Sequence, residues 1–184
     1  MQRRVLLIGA LMLELCGAAY AAGAVNLWVD VPFVKQQKNG CGAASLAMVM
    51  EYWQRKEGQP AGSNAKPAHI LRALYSKTAH GIYAPSMVRY LRQNGYRTFA
   101  FAGRWADLER ELEEGRPLIV ALKPDGSRSF HYVIVAGVDD PERLVLLNDP
   151  AQRKLLKVER SRFEREWQAT QHWTLLAVPR TTAH

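Results

Sequence analysis

Three apolar runs crowd the second half of this chain: PLIVALK (117–123), FHYVIVAGV (130–138) and RLVLLND (143–149), with turn-rich segments between them. Each reads as a strand. WTLLAVP (173–179) is a further strand, YRTFAFAG a short alternating one, and VNLWVDVPFV (25–34) an early one whose end is marked by Pro32. The first half has a different period. Residues 41–55 are rich in Ala, Met and Leu and apolar nearly all round, as a central buried helix would be. AHILRALYS (68–76), SMVRYLRQN (86–94, stopped by Gly95) and WADLEREL (105–112, closed by Gly115 and Pro117) have the spacing of amphipathic helices. SRFEREW is a short helix and GQPAGSNAKP (58–67) a loop. Helices first and strands later indicate an α+β fold and argue against a doubly wound sheet. At 184 residues, without repeats, low complexity or a linker, the chain suits one domain with its own core.

The N-terminus reads as an export signal. MQRR is a positive n-region, VLLIGALML a nine-residue apolar core, and Ala19-Tyr20-Ala21 an A-x-A cleavage site. The apolar run is shorter than the roughly 20 residues that span a bilayer. The sequence thus predicts a signal peptide over 1–21, a mature domain over 22–184 with no integral membrane segment, and a periplasmic or extracellular location. Lipidation at Cys16 is not expected, because Leu-Glu-Leu before it lacks a small residue. The net charge of +8 suits anionic surroundings such as membrane surfaces or acidic polymers. Its Lys and Arg residues are scattered, and no nucleic-acid motif accompanies them, so a nucleic-acid partner is not expected.

Removal of the signal leaves Cys41 as the single cysteine. One unpaired thiol excludes a disulfide framework and, with no C-x-x-C, a thiol oxidoreductase. Cys41 lies in QQKNGCGAASLAMVM, between two glycines at the mouth of the central helix. There the helix dipole and free N–H groups favour a thiolate. Gly40 is expected to allow the tight turn into the helix, and Gly42 to keep the approach to sulfur open. A nucleophilic thiol needs a base. Of His69, His80, His131, His172 and His184, only His131 sits inside a strongly apolar strand run. Strand alternation puts it on one face with Val133, Val135 and Gly137, opposite Phe130, Tyr132 and Ile134. The base in turn needs an orienting acid or amide. If FHYVIVAGV and RLVLLND pair as a hairpin through the turn DDPE, His131 and Asp149 become neighbours. Asn148 then faces the other way and is the weaker orienter, and Asp139 and Asp140 are turn residues. An oxyanion needs two donors: the Cys41 N–H is one, and Gln36, with Gln37 as fallback, is placed to give the other. This chemistry calls for no cofactor and no metal.

The combination KQQKNGCGAASLAMVMEYW, then FHYVIVAGVDD, then LVLLNDP, resembles the bacteriocin-processing, double-glycine leader peptidase family over roughly residues 28–151. The resemblance implies a papain-like fold, with the nucleophile at the start of a central helix packed on an antiparallel β-sheet. It implies Cys41 as nucleophile, His131 as base, Asp149 as orienter and Gln36 in the oxyanion hole. Transporter-linked members carry an acid before the nucleophile, where this chain has Gly40. No ATPase or membrane-spanning region follows, so the stand-alone exported branch is expected.

The expected function is therefore an exported cysteine peptidase acting on a peptide or protein substrate. A catalytically silent peptide-binding module and a cell-wall peptide amidase are the alternatives. The segment 60–86 is expected to form one wall of the cleft, with Tyr75, Tyr83 and Met87 as candidate lining residues.

Overall fold

The computed structural model describes residues 26–180. The expected signal peptide, Cys16 and His184 lie outside these residues. The described elements run β1 (Asn26–Trp28), α1 (Cys41–Lys56), α2 (Pro67–Leu74), α3 (Ala84–Gln93), β2 (Tyr96–Ala102), α4 (Trp105–Glu113), β3 (Leu118–Leu122), β4 (His131–Asp139), β5 (Leu144–Asn148), β6 (Leu156–Glu159), α5 (Arg160–Gln168) and β7 (Trp173–Pro179). A single 3₁₀ turn, Ser63–Ala65, interrupts the loop before α2.

The strands form one antiparallel sheet in the order β2-β7-β3-β4-β5-β6. The arrangement is α+β and papain-like, with helices packed on an antiparallel sheet. The centre of the sheet is β3 and β4, whose residues are buried on both faces apart from the two ends of β4. That burial is why they appear in the sequence as unbroken apolar runs and not as alternating ones. Helix α1 lies against β4, β3 and β7, and α5 lies against β3, β5 and β6.

β1 is shorter than the expected 25–34. It pairs with Gly137–Asp139 at the C-terminal end of β4, because β3 already occupies the same edge along His131–Val135. Close approach of the β1 backbone leaves no room at Gly137, where a Cβ would lie 2.5 Å from the Leu27 carbonyl oxygen. β6 was not expected. It is a four-residue strand at the sheet edge whose residues are only half-buried or exposed.

Helix α1 is the spine of the core. Gly42 through Met50 are all buried, and Trp53 Nε1–H donates to the Ala177 carbonyl in β7 at 2.8 Å. Its composition of Ala, Leu and Met favours helix at little side-chain entropy cost. The first turn carries no acidic residue, so nothing neutralises the positive end of the helix, where Cys41 is the first helical residue.

Candidate active site

Cys41 is a free, half-buried thiol at the N-terminus of α1. The turn that delivers it is tight, with Asn39 in the left-handed region at φ 57°. Gly40 itself has φ −105°, so its conformation does not require glycine. The lack of a side chain there serves another purpose: a Cβ would lie 3.0 Å from the Gln37 carbonyl oxygen, which accepts the Gly40 N–H at 2.9 Å. The expectation for Gly42 is also corrected. It is buried, and a Cβ there would lie 3.3–3.5 Å from Ile82, Tyr132 and Met87. Gly42 lets the helix start sit close against the core and does not hold open a path to sulfur.

His131 opens β4 and Asp149 follows the last residue of β5. The hairpin places them together: His131 Nε2 lies 2.7 Å from Asp149 Oδ1. A carboxylate only accepts, so Nε2 carries the hydrogen. Nδ1 is the ring nitrogen left for the Cys41 thiol, and the two groups shift each other's protonation. Asp149 is held from three more directions. Its Oδ1 also accepts the Ala151 N–H at 2.8 Å, and its Oδ2 accepts Gln152 Nε2–H at 2.7 Å. The Asp149 N–H donates to the Arg153 carbonyl at 3.1 Å.

The electrostatics follow from these contacts. Burial pushes the Cys41 thiol up, but the His131 hydrogen bond, the backbone amides of Tyr132 and Gly42 and the imidazolium charge outweigh it, and the thiol ends below its ordinary value. Burial pushes His131 down, yet the Asp149 carboxylate and the Cys41 thiolate prevail and hold it at about 9. Burial likewise raises Asp149, and the His131 and Gln152 hydrogen bonds and the Ala151 N–H bring it below the usual carboxylate range. Together these shifts favour a thiolate–imidazolium pair near neutral pH. Burial and the nearby Cys41 charge push the Tyr132 phenol up to about 12, so it stays neutral beside the thiol.

Gln36 is tied to the same corner. Its N–H donates to the Pro150 carbonyl at 2.9 Å, and its side-chain Oε1 is buried without a hydrogen-bond partner. Gln37, the fallback, is exposed and serves the turn through its carbonyl. Asn148 is fully used elsewhere: Nδ2–H donates to the Val31 carbonyl at 3.1 Å, and Oδ1 accepts the Leu155 N–H at 3.0 Å. It clamps the segment leading to Gln36 onto the end of β5. Asp139 and Asp140 lie at the far end of the hairpin, where Asp140 pairs with Arg160 at 3.5 Å. His69 and His80 are exposed, and His172 faces Glu164 at 3.7 Å.

Of the residues expected to line the cleft, Met87 is fully buried beside Gly42 and belongs to the core. Tyr75 lines a groove beside the nucleophile loop with Gln37, Asn39 and His80. Tyr83 is exposed. Reasoning from sequence missed Ala151 and Gln152; the only signal was a turn-forming Asp-Pro at 149–150. Among the described residues, no group of three or more His, Cys, Asp and Glu side chains could hold a metal ion, and no helix is long and apolar enough to cross a membrane.

A sequence model of the Peptidase_C39 like family matches residues 28–174. Two sequences of the transport/processing ATP-binding protein ComA, from Streptococcus pneumoniae strains R6 and TIGR4, are each 34% identical over 129 residues, or 69% of this chain. The chain spans 16% of the length of those relatives. Among solved structures, a C39-like peptidase from Bacillus anthracis superposes with a TM-score of 0.67 at 15% identity, covering 86% of this chain and all of that one. The peptidase domain of Streptococcus ComA gives 0.61 at 22% identity, covering 82% of this chain and 98% of that one. A double glycine motif protease from an AMS/PCAT transporter, solved with its leader peptide, gives 0.60 at 21% identity, covering 85% and 99%. The chain belongs to the Peptidase_C39 like family, a family of cysteine peptidases.

Proposed function

We propose that the protein hydrolyses peptide bonds through an acyl-thioester on Cys41. The observation that carries this reading is the His131–Asp149 contact, with Nε2 fixed at 2.7 Å from the carboxylate and the other ring nitrogen left for the thiol that His131 lowers. The Cys41 thiolate attacks the scissile carbonyl carbon, and the C–S bond forms as the carbonyl oxygen becomes an oxyanion. The Cys41 N–H and the Gln36 side-chain NH₂ donate to that oxyanion; the buried, unbonded Oε1 of Gln36 shows that no structural contact to this oxygen fixes the amide. The intermediate collapses, the C–N bond breaks, and the His131 imidazolium gives its proton to the leaving amine. His131 then takes a proton from water, which attacks the thioester; the C–S bond breaks and the thiolate returns. Asp149 holds the ring in the required tautomer and stabilises its charge.

A peptide substrate is supported by the leader peptide bound to the AMS/PCAT relative. Action outside the cytoplasm, in the periplasm or beyond the cell, is supported by the signal-like sequence of residues 1–21. The test is digestion of a randomised decapeptide library, with new N-termini read by mass spectrometry. Wild type is expected to cleave and Cys41→Ala to be silent. No cleavage by a wild-type protein whose Cys41 is nonetheless rapidly alkylated would instead favour a peptide-binding module.

A further inference from the structure

Beside His131 lies a groove of about 450 Å³ that is lined by no residue of the nucleophile loop and that no step above uses. His131 and Asp149 form part of its wall, the 123–130 loop forms its rim, and β6 and α5 close it. Its surface is largely apolar. Leu122 and Leu147 are buried in its floor, and Leu156 and Val158 project from β6, half-exposed. Phe130, the residue immediately before His131, is 55% exposed at its mouth. The charged pair at its end is internally satisfied, with Arg162 Nε–H donating to Glu166 Oε1 at 2.8 Å.

We propose that this groove is the leaving-group subsite, and that it selects an apolar side chain of leucine or phenylalanine size on the residue that follows the scissile bond. The inference rests on the proposed hydrolysis. The acyl carbon has to sit at sulfur, by the oxyanion donors, and the leaving nitrogen has to meet the proton on the imidazole. The chain beyond that nitrogen is therefore carried over His131 toward Phe130 and the groove that His131 helps to build. A large aromatic kept in water beside the reactive pair gains burial only when substrate covers it. Wetting of Leu156 and Val158 is relieved by the same event. Of the charged groups in its lining, Arg162 and Glu166 satisfy each other and Lys157 is exposed on β6, so the buried floor of Leu122 and Leu147 discriminates by apolar contact.

Aminolysis of an acyl-enzyme isolates this subsite from everything on the acyl side. p-Nitrophenyl acetate acylates Cys41 with release of p-nitrophenolate, making few demands on specificity. An amino-acid amide then attacks the acetyl thioester through its nitrogen. Its proton passes to His131, the C–S bond breaks, and the acetyl amide leaves as the thiolate is regenerated. Leucinamide and glycinamide compete at equal free-base concentration, with Cys41→Ala as the blank for lysine acetylation. The expected result is a preference for leucinamide of roughly tenfold or more. Phe130→Ser and the isosteric Val158→Thr are each expected to reduce that preference about threefold or more, while the burst amplitude, which titrates acylatable Cys41, stays as in wild type and only its rate falls. A burst followed by equal partition, or a preference that neither variant alters, overturns the groove assignment and leaves the hydrolase reading intact. Absence of a burst overturns both, since without an acyl-enzyme there is no leaving group for the groove to hold.

Discussion

Ser45 Oγ–H donates to the main-chain carbonyl of Tyr132 at 3.2 Å, in a fully buried contact. Ser45 is one turn into α1 from Cys41, and Tyr132 is the residue after His131. One hydrogen bond therefore sets the nucleophile's helix against the base's strand. Ser45→Ala is expected to cost about 1 kcal/mol in denaturant unfolding. It is also expected to lower kcat/KM roughly tenfold, because the Cys41–His131 geometry loosens. A stability loss with unchanged kcat/KM would mean that the contact only holds the core together.

Gly137 marks the point where β1 crosses close to β4. With Leu27 oxygen 2.5 Å and Trp28 Cβ 2.8 Å from a would-be Cβ, Gly137→Ala forces backbone apart. A destabilisation of roughly 1–3 kcal/mol is expected from urea melts. The change is remote from Cys41 along β4, so Cys41 alkylation under native conditions should remain as in wild type.

The Asp149–His131 contact predicts a pH dependence of stability, seen most cleanly in a Cys41→Ala background, where the thiolate no longer contributes. His131 is held up from 6.5, chiefly against burial, with Asp149 the main raising partner. A raised folded value stabilises the folded state fully below the unfolded value of 6.5, and the benefit is lost as pH climbs through the folded value. Unfolding free energy should thus fall above pH 6.5, by an amount on the order of 1 kcal/mol. Adding Asp149→Asn should abolish the fall. Guanidinium melts between pH 5 and 10 measure both.

Gln36→Ala separates oxyanion stabilisation from thiol activation. Removing one oxyanion donor is expected to lower kcat by about 10²–10³. The rate of iodoacetamide alkylation, which develops no oxyanion, should stay within about twofold of wild type. Parallel losses in both would place Gln36 in the folding of the nucleophile loop.

Much of this site is legible in the sequence because hairpin connectivity brings the start of β4 beside the end of β5, where His131 and Asp149 meet. The register shift between Val135 and Gly137, which helps decide the face that Asp149 takes, is not legible there. Elements with long apolar runs, α1, β3 and β4, are equally plain. The weak signals come from residues whose role depends on a distant partner. β6 is only LKVE, an edge strand with polar Lys157 and Glu159 between half-buried neighbours, too short to show a period. β1 shrinks to three residues because β3 holds the adjoining edge of β4, a competition invisible in the sequence of residues 25–34. The glycines around Cys41 look alike on paper. Only the approach of Gln37 to one and of Ile82, Tyr132 and Met87 to the other reveals that both serve close packing. Gln152 looks like any loop glutamine until Asp149 is found beneath it.

The central claim is that Cys41 and His131 form an ion pair poised for attack. The most direct measurement is the rate of iodoacetamide alkylation of Cys41 against pH, for wild type and His131→Ala. The lowered thiol and the His131 value of about 9 predict rapid alkylation persisting well below pH 7 in wild type and lost in the variant. A single rise near pH ~8.5, as for a free thiol and the same in both proteins, would contradict it.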